Sequence, residues 1–256
     1  MKRLIALGDT HCGHFAGLTP PGWQFSKTGH RKETAKQQHE TWSWFAKEVK
    51  PLVGADVAIW NGDLIDGRGE RSGGTELITS DRLEQCAMAE AIVRTVGAQT
   101  NLFVYGTPYH TGQAEDYETQ IAEEFDTSPH GHLWTSVNGW IVDAKHKVGS
   151  SAIPHGRHTA PAKERMWNVL WSEYQGQPKS HIILRSHVHY YSYCGGADWV
   201  AMTLPALQGF GSKFGERQCS GIVDFGFVHF DITEDAYTWQ RHILRLKAAA
   251  PQVVTI

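Results

Sequence analysis

The sequence predicts a layered α/β protein. Five short apolar runs each end on a carboxylate, a histidine or a glycine turn, stretches with helical spacing lie between them, and the last quarter is rich in β-branched and aromatic residues. Apolar runs of about 4–8 residues bounded by turn signals read as buried strands, and strands alternating with helices read as α/β layers.

Along the chain, Leu4-Ile5-Ala6-Leu7 runs into Gly8-Asp9-Thr10-His11, and the Gly/Pro/Ser-rich stretch 13–32 reads as a loop. Residues 33–49 place Trp42, Phe45, Ala46 and Val49 at i, i+3, i+4 and i+7, a stripe expected to pack on a sheet. Val57-Ala58-Ile59-Trp60 enters Asn61-Gly62-Asp63 with Asp66 beyond, and 67–74 is again loop-like. A helix is expected over 81–96. Leu102-Phe103-Val104-Tyr105 then enters Gly106-Thr107 with His110 beyond, and 113–125 reads as a further helix. Trp140-Ile141-Val142 leads into Asp143-Ala144-Lys145-His146, 160–174 repeats Ala162, Met166 and Leu170 every four residues, and Ile182-Ile183-Leu184 enters Arg185-Ser186-His187-Val188-His189. After His189, residues 199–204, 221–232 and 237–246 read as strands without helices between them, expected to form an antiparallel sheet.

In layered α/β proteins ligands sit past the carboxyl ends of strands, so the five polar endings are expected to converge. Convergence needs distant segments to meet, and residues 1–256 are therefore read as one domain. With 41% hydrophobic residues and 10 tryptophans the core can be sizeable, and Trp42, Trp44, Trp167 and Trp171 are expected in it. The net charge of −3 and pI near 6.6 exclude a global basic field of the kind that advertises nucleic acid. Cys12, Cys86, Cys194 and Cys219 are too sparse for a disulfide framework, which points to a reducing, cytoplasmic setting. The run before Gly8 is too short for a signal-peptide core, and no apolar run approaches the roughly 18 residues of a membrane span. Of the 15 histidines, His30, His39, His130, His132, His181, His229 and His242 carry no usable spacing and are expected at the surface or in loops.

The ordered set D-x-H (Asp9, His11), G-D-x-x-D (Asp63, Asp66), a glycine turn with His110, a strand-end His146 and H-x-H (His187, His189) resembles the calcineurin-like metallophosphoesterase superfamily over residues 4–189. The stretches Asp9-Thr10-His11-Cys12-Gly13-His14 and Gly106-Thr107-Pro108-Tyr109-His110-Thr111-Gly112 are similar to a phage and prophage branch of it. The resemblance implies a four-layer α/β/β/α sandwich of two mixed sheets with two divalent ions at one edge. Asp9, His11 and His189 would hold the first ion and His146 and His187 the second, with Asp63 bridging them. The rival to His146 is His155 in Pro154-His155-Gly156, where the proline argues against a central strand. Mixed imidazole and carboxylate ligands suit manganese, iron, zinc or nickel rather than calcium, with manganese expected.

The third motif departs from the usual Gly-Asn-His. Here Thr107 stands for the asparagine and Pro108 redirects the chain, so Thr107 ligates weakly, or His110 swings in as a ligand, or the second ion arrives with substrate. By the resemblance Asp66 pairs with His110, which assists the leaving group. Arg68, Arg157 and Thr107 are candidate substrate contacts, and His158 is expected in a pocket loop.

The implied activity is hydrolysis of a phosphate mono- or diester by hydroxide generated between the ions, in-line at phosphorus. The competing enzyme reading is a DNA or RNA nuclease, favoured by aromatic loops and the cluster Arg157, His158, Lys163, Arg165. A third reading is a metal-binding scaffold without turnover. The expected partner is a phosphate-ester substrate, with nucleotide or nucleic acid open and no membrane.

Overall fold

The computed structural model describes residues 1–112, 115–151, 153–210 and 222–247, which leaves Cys219 outside the described residues. Two five-stranded sheets organise the chain. The first runs β10-β9-β1-β2-β3, from β1 (Lys2–Leu7), β2 (Val57–Trp60), β3 (Thr100–Phe103), β9 (Phe225–Ile232) and β10 (Tyr237–Leu244). The second runs β4-β5-β6-β8-β7, from β4 (Leu133–Val137), β5 (Trp140–Lys145), β6 (Ile182–Arg185), β7 (Ser192–Gly195) and β8 (Val200–Thr203). Strands β1, β2 and β3 are parallel to one another, as are β5, β6 and β8, so each sheet gathers several carboxyl ends along one edge.

The two-residue period of a strand sorts its side chains between two cores. Leu4 and Ala6 of β1, Ile59 of β2, Ile182 and Leu184 of β6 and Val228, Phe230 and Ile232 of β9 face the space between the sheets. Ile5 and Leu7, Ala58 and Trp60, and Phe225 and Phe227 face the outer helices instead. Leu4 through Leu7 are fully buried, and truncating Leu4 to alanine should cost about 2–5 kcal/mol.

Helices cover the outer faces. α1 (Lys32–Val49) and α2 (Arg82–Val96) lie on the first sheet, with Phe45, Val49, Ile92 and Val93 in that core. Asp81 caps α2 by accepting from the Leu83 and Glu84 N–H groups. The single turn α3 (Pro108–Thr111) follows β3, and α4 (Tyr117–Glu123) is capped by Asp116 and is shorter than the 113–125 expected. α5 (Thr159–Glu173) covers the second sheet.

Several expectations need correction. The C-terminal strands form no sheet of their own: β8 pairs in parallel with β6 while β9 pairs antiparallel with β1, because strand periodicity does not name a partner. The buried face of α1 centres on Gln38, Thr41, Phe45 and Val49, with Trp42 and Ala46 at its margin. In α5 the Met166–Leu170 stripe faces solvent, and Trp167 and Trp171 are half exposed rather than core. His229 and His242 are buried and bonded to each other at 2.8 Å, not surface residues. Among the described residues no helix is long and apolar enough to cross a membrane.

Candidate metal centre

Every motif residue sits just past a strand end along the shared edge. Asp9 and His11 follow β1, Asp63 and Asp66 follow β2, Thr107 and His110 follow β3, His146 follows β5, and His187 and His189 follow β6. His187 and His189 therefore lie beyond the strand rather than on it. Eight non-glycine residues have positive φ among the described ones, and Asp9, His11, Asp63, His187 and His189 are five of them. Such conformations cost of order 1–3 kcal/mol each and persist only where the surroundings over-determine them.

The glycines make the approach possible. A Cβ on Gly62, whose φ is +82°, would lie 2.6 Å from the Gly106 Cα and 2.7 Å from His146 Nδ1. A Cβ on Gly106 would collide with the backbone N and Oδ1 of Asp63. Both turns are thus closed to larger residues by the packing of β2, β3 and β5 ends against one another.

The side chains form two adjoining groups. Ligand-type atoms of Asp9, His11 and His189 lie within 4.8 Å of one another, as do those of Asp63, His146 and His187. In the first group, Asp9 Oδ1 stands 3.3 Å from His189 Nε2 and 3.9 Å from His11 Nε2. In the second, Asp63 Oδ2 stands 3.0 Å from His146 Nε2 and 4.0 Å from His187 Nδ1. Asp9 Oδ1 also lies 4.0 Å from His146 Nε2. It is Asp9, not Asp63, whose oxygen approaches imidazoles of both groups within that distance.

Two imidazoles are locked from behind. His146 Nδ1 donates to the Asn61 carbonyl at 2.7 Å, and His11 Nδ1 bonds Asp66 Oδ1 at 3.1 Å, so both Nε2 atoms turn inward. This is how ligating histidines are oriented in metal sites. Asp66 is therefore engaged differently from expectation: its carboxylate holds His11, while His110 Nδ1 bonds the Asp66 backbone carbonyl at 2.9 Å and stands 3.7 Å from the carboxylate. His110 groups with His11 and Asp66, and of the alternatives left open for the third motif its ligation of the second ion is the one this placement does not favour. Thr107 occupies that place, its Oγ1 3.2 Å from Asp63 Oδ2, 3.4 Å from His146 Nε2 and 3.3 Å from His187 Nδ1.

Charge follows geometry. Burial disfavours ionised Asp9 and Asp63, yet the neighbouring histidines override it and hold both carboxyls below the ordinary range, Asp63 well below. Burial likewise opposes a charged His146, but Asp63 and Asp9 lift that imidazole to about 10. His11 is pushed down to about 4 by burial against the pull of Asp66. A proton on His146 thus does in part what a cation would do.

The donor set fits divalent ions. Asp9 Oδ1 is buried and accepts no well-formed hydrogen bond, its nearest polar neighbour being His189 Nε2 at 3.3 Å, and a buried carboxylate oxygen so placed is costly. Inward-facing imidazole nitrogens surround it, the chemistry of a borderline transition metal.

The other candidates scatter. His155 is exposed in the 3₁₀ turn Pro154–His158, away from either group, whereas His146 is buried within one. Arg157 stacks over the Tyr190 ring at 4.4 Å, next to His189, and exposed Arg68 lines a cleft with Tyr109 and His110. The expected basic cluster is split, because Arg165 is buried and donates to the Ser180 carbonyl, while His158 Nδ1 lies 2.8 Å from Ser192 Oγ.

Two supporting residues were missed. Glu118 of α4 is buried and accepts from the Leu64 and Gly106 N–H groups, tying the Asp63 turn to the Thr107 turn; burial and then Asp63 push its carboxyl up to about 7. Asn61 donates to Ser186 Oγ at 2.8 Å, joining the ends of β2 and β6. Neither has a sequence signal, since both act through contacts that spacing does not reveal.

No protein-family profile matches the chain, and no curated protein does. Solved structures do. Vps29 of Chaetomium thermophilum superposes with a TM-score of 0.50 at 11% identity, over 96% of this chain and 92% of that one. Zinc-complexed Vps29 of Entamoeba histolytica gives 0.47 at 12%, over 94% and 98%. A conserved uncharacterized protein of Streptococcus pneumoniae described as a predicted phosphoesterase gives 0.40 at 11%, over 94% and 98%. At such identities the likeness speaks to fold alone. This chain has the two-sheet α/β sandwich fold of Vps29.

Proposed function

We propose that this chain hydrolyses phosphate esters with two divalent ions held at the joined strand ends. The observation that carries the reading is the buried Asp9 Oδ1, without a well-formed hydrogen bond, ringed by His189, His11 and His146 nitrogens at 3.3, 3.9 and 4.0 Å. Asp9, His11 and His189 would hold one ion; Asp63, His146 and His187 the other, with the Thr107 hydroxyl beside it. When bound, such a pair would supply Lewis-acid stabilisation of phosphoryl oxygens and a lowered pKa for water. The chain supplies the rest. Asp66 and the Asn61 carbonyl keep the His11 and His146 rings aimed inward. His110, fixed through Nδ1 on the Asp66 carbonyl, presents Nε2 to the leaving oxygen and protonates it. Arg68 and Arg157 flank the site as anion contacts.

Manganese is the expected ion, and the likeness of Asp9–His14 to a phage-type branch belongs to this proposal. The test is hydrolysis of a panel of phosphate mono- and diesters by dialysed protein with manganese or magnesium added. Turnover should favour manganese, whereas metal binding without turnover of any ester would leave a scaffold.

A nuclease is the second reading. Tyr191, Tyr193 and Trp239 form an aromatic step that starts two residues from His189, with centroid spacings of 5.8 and 5.7 Å. Tyr193 is 44% and Trp239 36% exposed, and Arg241 lies 5.8 Å over Tyr191. Exposed aromatic faces with a cation suit unpaired bases. Binding of single-stranded DNA that weakens steeply with salt would select this reading, and salt-indifferent turnover of a small ester would reject it.

A further inference from the structure

We infer that the exposed face of α5 is a dimerisation surface on which two copies of this chain pack antiparallel about a two-fold axis. The helix is inside out. Its polar side chains face the protein: Glu164 pairs with Arg185 at 2.7 Å and Lys145 at 3.1 Å, Arg165 donates to the Ser180 carbonyl at 2.6 Å, and Asn168 accepts from Ser180 N at 2.9 Å. Its large apolar side chains face out, with Met166 69%, Trp167 50%, Leu170 48%, Trp171 49% and, just past the helix, Tyr174 82% exposed.

A contiguous apolar face of this kind on a water-facing helix marks an interaction surface. Trp167 and Trp171 form one i, i+4 ridge, and Met166, Leu170 and Tyr174 form the next. Paired i, i+4 ridges are the elements that interdigitate when two helices cross. The polar side is already satisfied within the chain, so the apolar side is the one left to bind.

Area and charge together point to a second copy. Five side chains of about 200 Å² each, at those exposures, offer roughly 600 Å² per copy. Two copies would then bury about 1,200 Å², the lower edge of a stable, specific interface. Exposed Lys163 lies at the amino-terminal end of the face and exposed Glu173 at its carboxyl end. An antiparallel pair sets lysine against glutamate at both ends, whereas a parallel pair sets like charges together. Two-fold symmetry needs such a self-complementary patch. An anionic membrane surface calls for a lysine- and arginine-rich rim, which this face lacks.

Sedimentation equilibrium on the full chain tests the inference. The wild type should show twice the 28.6 kDa chain mass, and Leu170→Glu, which forces a charge into the interface, should weaken association at least about tenfold. Lys163→Glu should weaken it less, and Lys163→Glu combined with Glu173→Lys should restore wild-type association, a rescue that misfolding cannot imitate. Tryptophan emission should shift to the blue as the wild type associates. A single-chain mass at high micromolar concentration, dimers indifferent to all three variants, or monomers that instead sediment with anionic vesicles would each overturn it.

Discussion

Replacing Asp66 should loosen metal at the Asp9–His11–His189 group rather than alter the protonation of the leaving group. The Asp66 carboxylate is buried, bonds His11 Nδ1 at 3.1 Å and stands farther from His110, at 3.7 Å. Burial would raise its pKa, but the His11 bond overrides this and holds it below the ordinary carboxylate range. Asp66→Asn keeps an oxygen in place and removes the charge. A hydrogen bond to a charged group contributes about 1.5–3 kcal/mol, so most of that stabilisation of an ion-bound His11 is lost. The equivalent change in affinity is about 10–150-fold, in line with the roughly 10–100-fold typical of partners that orient a ligating histidine. Competition between the protein and a chromogenic chelator reads this directly, without turnover. Hydrolysis, measured at limiting metal, should fall by the same factor for good and poor leaving groups alike, and excess metal should largely restore it. Unchanged metal affinity with a loss confined to poor leaving groups would refute the reasoning and put Asp66 to work through His110.

Other outcomes follow from the same geometry. His110→Ala should keep both ions and lose about 10²–10⁴ in rate on esters with poor leaving groups, with far less loss on nitrophenyl esters; loss of an ion would make His110 a ligand. His146 is protonated at neutral pH because its pKa is raised to about 10, and this contribution to the metal-free fold is present below about pH 6.5 and lost as pH rises through 10. Metal must expel that proton, so affinity should climb between about pH 7 and 10 and calorimetry in two buffers should find proton release; pH-independent affinity would contradict this. Gly106→Ala should weaken metal binding by displacing Asp63 while the fold survives, as read by chelator competition beside circular dichroism. Asp143, whose carboxyl is kept low by His132 and Arg185 against burial, holds the buried Arg185 at 2.6 Å. Asp143→Ala should cost about 3–5 kcal/mol at neutral pH, and because the folded pKa is depressed the difference should shrink as pH falls below about 4; an undiminished difference in acid would contradict the pairing.

Much of the fold was legible because its strongest signals are local. Apolar runs ending in Gly8-Asp9, Gly62-Asp63 and Gly106-Thr107 mark strand ends, at the last two of which only a glycine fits, and the stripes of α1 and α2 mark helices. Strand partners were not legible, since the two-residue period of β8 or β9 is the same in either sheet. β4 and β7 went unrecognised: Leu133–Val137 and Ser192–Gly195 carry too few consecutive apolar residues to announce a strand. In α5 the spacing of Met166 and Leu170 was read correctly as helical but not as outward, because a polar face satisfied by Arg185, Ser180 and Lys145 turned the helix over. The strand-end positions of the candidate ligands could be read from order along the chain, whereas the Asp66–His11 bond and the Glu118 tie depend on side-chain direction.

The central claim is that two ions at these strand ends support ester hydrolysis. Metal content and turnover of a chromogenic phosphodiester, followed on one preparation as manganese is added back after chelation, test it most directly. Activity should be absent in the chelated protein and should rise as the second ion binds, to two per chain, with the Asp9→Asn and Asp63→Asn variants each losing ions and rate together. Full turnover in excess chelator, or activity in either variant at the wild-type rate with two ions bound, would contradict it.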